Sequence, residues 1–97
     1  MDIYVNVTDD DGLCTWYNSV DGESYLRDAV DLQDWNTDKF AGTAFATPAA
    51  AKAASKRAKQ LANWDGSINP KVKFFTMVKG TPVEIAFTRD GKIRYEK

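Results

Sequence analysis

Apolar and polar residues alternate over residues 2–8, which is the period-two pattern of a strand with one buried face. Residues 9–12, three aspartates and a glycine, have the composition of a turn. An extended, aromatic-rich stretch follows at residues 13–17. These patterns predict a first β-hairpin with an acidic tip.

The C-terminal part of the chain repeats the strand pattern. Residues 71–78 are rich in strand-forming types, and residues 83–88 again alternate between apolar and polar positions. Asp90-Gly91 is a dipeptide favoured in tight primed hairpin turns, and a short alternating stretch comes after it. We therefore predict a three-stranded antiparallel meander.

Two helices are predicted between these groups of strands. Thr47 is a good N-cap, Pro48 suits the first helical position, and the alanine-rich run behind them has high helix propensity. A second helix is predicted over roughly residues 24–36, with Ser24 as its cap. Its inner face would carry apolar residues: Leu26, Ala29, Val30 and, one turn further, Leu32.

The predicted element order is β-β-α-α-β-β-β. It describes an α+β fold in which two helices pack on one face of an antiparallel sheet of about five strands. Ninety-seven residues suit a single domain spanning 1–97, and we expect a monomer. The lone cysteine, Cys14, is predicted to be a small buried strand residue. The lack of an internal disulfide partner fits a reducing cytoplasm.

Charge is strongly segregated along the chain. Residues 1–40 hold ten carboxylates and two cations, a net charge of −8, whereas residues 41–97 hold four carboxylates and eleven cations, a net charge of +7. The overall charge of −1 therefore conceals two opposite fields. Such polarisation favours an electrostatic binding surface over an active site.

Several kinds of chemistry lack their usual residues. The chain has no histidine and no glycine-rich phosphate loop. An EF-hand alignment that places Gly12 at the sixth loop position puts Val7 and Asn18 where anchoring carboxylates are needed. We therefore predict neither an enzyme nor a cofactor or metal site.

The acidic segment suggests a mimic of nucleic acid. If residues 24–36 are helical, Asp28, Asp31 and Asp34 recur at about 4.5 Å, a step comparable to the phosphate spacing of a strand. Such a surface would enter a groove of lysines and arginines in place of DNA or RNA. The predicted partner-binding residues are nine carboxylates and a tryptophan that would anchor the interface: Asp9, Asp10, Asp11, Asp21, Glu23, Asp28, Asp31, Asp34, Asp38 and Trp35. An ordinary solvated acidic face is the alternative.

The basic half offers a second interpretation. Lys52, Lys56 and Lys59 share one face of the alanine-rich helix, and with the lysines of the C-terminal strands they could bind phosphates. The chain would then be a small nucleic-acid-binding module, although solvated lysines are the more usual finding. For Trp16 and Trp64 we expect buried aromatic packing.

With its size, charge segregation and lack of catalytic groups, the chain resembles small phage- or prophage-encoded anti-CRISPR proteins. More narrowly, it is similar to inhibitors of the type I-F surveillance complex that act as DNA mimics. The resemblance rests on the acidic series given above rather than on a sequence motif. It implies a stoichiometric inhibitor in the bacterial cytoplasm, which binds the Cas subunits of the target-DNA path and needs neither cofactor, membrane nor direct contact with nucleic acid.

Overall fold

The alternating strands assemble into one antiparallel sheet in a computed structural model that describes residues 2–28, 42–79 and 81–95. Within these residues the chain forms six strands and one helix. In chain order they are β1 (Tyr4–Thr8), β2 (Cys14–Val20), β3 (Glu23–Asp28), α1 (Pro48–Trp64), β4 (Lys71–Val78), β5 (Thr81–Phe87) and β6 (Ile93–Tyr95). The predicted α+β class with an antiparallel sheet is confirmed. The described sheet has one strand more than expected.

The strand order across the sheet is β3-β2-β1-β4-β5-β6, with every neighbouring pair antiparallel. The start of β1 is separated from β2 by a short inserted segment. Phe45 exchanges backbone hydrogen bonds of 2.8 and 2.9 Å with Ile3, and Thr43 bonds to the backbone of Tyr17 and Ser19 in β2. Residues 43–45 thus join the two strands before the helix begins.

The core lies between the sheet and α1, which packs against β1, β3 and β4. Thr47 caps the helix as predicted, because its Oγ1 accepts a hydrogen bond of 3.2 Å from the backbone of Ala50. Small residues on the inner helix face allow close approach to the sheet. The buried members of this core are Ala51, Ala54, Ala58 and Ala62 from the helix, and Ile3, Val5, Val7, Tyr17 and Ile85 from the sheet region.

The predicted helix over residues 24–36 is wrong where the chain is described. Residues 23–28 form β3, which pairs with β2 through a turn at Asp21 and Gly22. Both residues are left-handed, with φ of 52° and 83°, as a primed hairpin turn requires. Because this turn fixes the register, Leu26 faces the core as a strand residue. Residues 29–36 lie outside the described part of the chain.

No helix among the described residues is long and apolar enough to cross a bilayer.

Candidate binding site at the acidic end of the sheet

The acidic turn between β1 and β2 is held by its own first residue. The backbone N–H of Asp9 donates to the carbonyl of Leu13 at 2.9 Å, and Gly12 donates to the carbonyl of Asp9 at 3.0 Å. The Asp9 carboxylate accepts from the backbone N–H groups of Asp11 (3.0 Å) and Leu13 (2.8 Å). Asp9 therefore adds a negative charge to the turn and also holds its backbone in place. Hydrogen bonding to the turn backbone is the usual role of aspartate in such turns.

The residues around Gly91 form a turn of the same kind. Thr88 donates to the carbonyl of Lys92 at 2.9 Å, Gly91 donates to the carbonyl of Thr88 at 3.0 Å, and Thr88 Oγ1 accepts from the Lys92 N–H. Gly91 is left-handed, whereas Asp90 is not, so this is a three-residue hairpin loop rather than the predicted two-residue primed turn.

Asp10 ties the acidic turn to a distant part of the chain. Its carboxylate accepts hydrogen bonds from the backbone N–H groups of Ile68 at 2.6 Å and Asn69 at 3.0 Å. Its own N–H lies 3.5 Å from the Ser67 hydroxyl oxygen. The turn is thereby fixed against the loop that joins α1 to β4.

Two further carboxyl-bearing positions reach the same end of the sheet. Asp65 caps the C-terminus of α1 and is exposed, as is Asp11. In β3, Asp28 pairs with Thr15, which is the second residue of β2. A pocket of about 70 Å³ opens between these elements, lined in part by Asp9, Leu13, Leu26, Ala62, Asp65 and Ser67. We name Asp9, Asp10, Asp11 and Asp65 the acidic apex.

The structure separates other predicted carboxylates from the apex. Asp21 and Glu23 are exposed at the turn between β2 and β3, which is at the far end of the seven-residue β2, about 20 Å away at the rise of a strand. The carboxylates expected along a helix begin at Asp28, which is instead the last residue of β3. The other expected carboxylates and the tryptophan expected to anchor the interface lie outside the described residues: Asp31, Asp34, Asp38 and Trp35.

Exposed apolar side chains accompany the apex, a feature that the sequence did not reveal. Trp64, at the end of α1, is 71 % exposed, Ile68 is 82 % exposed and Leu13 is 46 % exposed. The expectation of buried packing is therefore wrong for Trp64, although it holds for Trp16 in β2. The Arg57 guanidinium lies 4.7 Å from the Trp64 ring centroid, a cation–π contact on the helix surface.

The basic side chains divide between two sides of the molecule. Lys52, Lys56 and Lys59 are exposed on α1, where the Lys52 ammonium lies 5.5 Å from the Phe87 ring centroid. Lys73 belongs to the opposite sheet face, because it pairs with Asn6 while the neighbouring valines of β1 face the helix. Lys73 therefore does not share one surface with the lysines of α1.

The sheet face opposite α1 carries aromatic residues among its cations. Trp16 and Phe75 make an edge-to-face contact with centroids 5.5 Å apart, and Trp16 stands opposite Arg27.

Burial, with a smaller contribution from the negative charge of Asp2, raises the pKa of Tyr4 above its ordinary value of 10.0.

Asn6 is buried on this face and donates from Nδ2 to the Cys14 sulfur at 2.8 Å. Cys14 does lie in a strand, but it is partly exposed rather than fully buried. No group of three metal-ligating residues occurs within the described ranges.

Comparison of the chain with protein-family models, with curated proteins and with solved structures finds no match.

Proposed function

We propose that this protein is an anti-CRISPR inhibitor that binds a type I-F surveillance complex through the acidic apex and so keeps target DNA from its path. The observation that carries the proposal is the fixed geometry of the acidic turn. Asp9 holds the turn internally, and Asp10 ties it to residues 68 and 69. The negative charges of Asp9 and Asp10 are therefore in place before a partner arrives.

Fixed charges suit the imitation of a nucleic-acid backbone. A groove that binds DNA presents lysines and arginines, and its attraction for phosphate is electrostatic and independent of base sequence. A rigid acidic turn enters such a groove with little loss of conformational entropy. A carboxylate has about four acceptor positions, so Asp9 and Asp10 can still accept hydrogen bonds from a partner's cations.

The proposed activity requires no bond making or breaking. The inhibitor acts stoichiometrically in the bacterial cytoplasm, without a cofactor, and its partners are the Cas subunits that form the target-DNA path. In this proposal the α1 lysines, Lys52, Lys56 and Lys59, face away from the partner or contact an acidic part of the same complex.

The test uses purified type I-F surveillance complex and a labelled target duplex. Wild-type protein should suppress duplex binding at a concentration near that of the complex. Asp11→Lys with Asp65→Lys should raise that concentration at least tenfold, because two exposed apex charges are reversed. Asp21→Lys with Glu23→Lys, which makes the same change in net charge at the far end of β2, should inhibit as the wild type does.

Two results would count against the proposal. Wild-type protein that leaves duplex binding unchanged would refute inhibition of this complex. Equal losses in the two double variants would show that total charge, rather than the apex, determines the effect.

A second candidate function is favoured by one specific observation. Arg27 and Lys73 are exposed on the sheet face opposite α1, where two cations are available for contacts with phosphate groups. Lys73 also makes an ion pair of 3.5 Å with Glu84, which reduces the positive charge available there. A gel shift with isolated protein separates the candidates, because salt-sensitive retention of DNA or RNA is expected for the module and not for the mimic.

A further inference from the structure

The acidic apex combines carboxylates with large apolar side chains that are exposed to water. Leu13, Trp64 and Ile68 are each at least 46 % exposed. Each is tied to a carboxylate of the apex or adjoins one. Leu13 donates its N–H to Asp9, Ile68 donates its N–H to Asp10, and Trp64 precedes Asp65 in the chain. The three apolar side chains therefore lie at the same end of the sheet as the carboxylates of the apex.

We propose that these three apolar residues are the anchors with which the apex docks on a protein surface, an apolar depression bordered by lysine or arginine side chains. The inference rests on the proposed function and deepens it. The apex would recognise an apolar part of the partner's surface as well as the partner's phosphate-binding cations.

The composition of the surface supports a protein partner. Imitation of a phosphate backbone requires carboxylates alone, and exposed Trp64 and Ile68 add nothing to it. Protein interfaces combine an apolar centre with a polar rim, and tryptophan is enriched among the residues that carry most of the binding energy. Arg57 stacks on Trp64 at 4.7 Å, which favours one orientation of the ring before docking.

Charge complementarity selects the occupant of this surface. A symmetric dimer formed through this surface would bring two acidic apices together, and like charges at close range oppose such an interface. A partner whose apolar depression has a basic border satisfies both components. The small pocket beside Leu13 and Asp65 adds a concave feature into which a partner side chain can reach.

The test measures affinity for immobilised type I-F surveillance complex at several salt concentrations. Ile68→Ser with Trp64→Ala should raise Kd at least tenfold while leaving the salt dependence of Kd unchanged, because neither substitution alters charge. Asp11→Lys with Asp65→Lys should raise Kd and change the salt dependence, since screening acts on charged contacts. Val20→Ser is the matched control, because Val20 is 52 % exposed at the far end of β2 and should bind as the wild type does.

The outcomes distinguish this inference from the function on which it rests. Wild-type protein that fails to bind the complex overturns both. Wild-type protein that binds, together with an Ile68/Trp64 variant of equal affinity and native unfolding behaviour, overturns the docking surface alone. Concentration-dependent dimerisation that the Ile68/Trp64 variant abolishes would assign the surface to a second copy of the chain instead.

Discussion

At the scale of single residues, Asp10 and Asp11 are neighbours in one turn but have different surroundings. The Asp10 carboxylate accepts two backbone hydrogen bonds from the loop after α1, at 2.6 and 3.0 Å, whereas Asp11 contributes its backbone N–H to the turn and exposes its side chain. The sequence predicts a turn and its charge. It does not predict that the Asp10 carboxylate accepts hydrogen bonds from Ile68 and Asn69, which are distant in the sequence.

This difference predicts unequal effects on stability. Asp10→Ala should lower the free energy of unfolding by about 1–2 kcal/mol, because two charge-assisted hydrogen bonds are lost at an exposed site. Asp11→Ala should change it by less than about 0.5 kcal/mol, as is usual for exposed positions. Urea denaturation of both variants measures the two values. Equal stabilities would mean that the bonds from Asp10 to residues 68 and 69 contribute nothing in solution.

At the scale of elements, the sequence predicts the first hairpin, the capped helix and the C-terminal meander, because each has a strong local signal. It fails at residues 23–28. Ser24 and Leu26 fit the start of a helix, but they fit a strand equally well, and six residues are too few to separate the two periods. The decisive signal is Asp21-Gly22, the same dipeptide as Asp90-Gly91. Because a capping serine follows it closely, this dipeptide fits a connection to a helix as well as it fits a hairpin turn.

The conformation of Gly22 gives a test of the β2–β3 hairpin. A Cβ built at this position meets no atom within 4 Å, so a substitution is strained only by its φ of +83°. Gly22→Ala should lower the free energy of unfolding by about 1 kcal/mol, since a left-handed conformation costs an L-residue about 1–2 kcal/mol. Gly22→Asn should lose less, because asparagine tolerates this region better. Thermal or urea unfolding compares the three proteins, and an Ala variant as stable as the wild type would argue against the primed turn.

At the scale of the whole molecule, the segregation of charge along the chain only partly becomes a segregation in space. The acidic N-terminal segment supplies carboxylates to both ends of β2, and Asp65 from the basic half joins the apex. The candidate site was therefore predictable at Asp9, Asp10 and Asp11. Its contribution from residues 64–68 depends on how the helix is packed on the sheet, which local patterns do not encode.

The basic face of α1 provides the test of whether the apex acts locally. Lys56→Glu with Lys59→Glu reverses two exposed charges and takes the net charge from −1 to −5, because each reversal subtracts two. A contact confined to the apex predicts a dissociation rate from the type I-F complex equal to that of the wild type. Association with a basic partner should become a few-fold faster at low salt, because long-range attraction increases with the negative charge of the protein.

Stopped-flow or surface-based kinetics at two salt concentrations separate these two rates. A faster dissociation of the Lys56/Lys59 variant would place α1 inside the interface and in contact with acidic groups of the complex. An unchanged dissociation rate, together with an acceleration of association that disappears at high salt, would leave the apex as the contacting surface. The remaining field of the molecule would then act only on the approach of the partner.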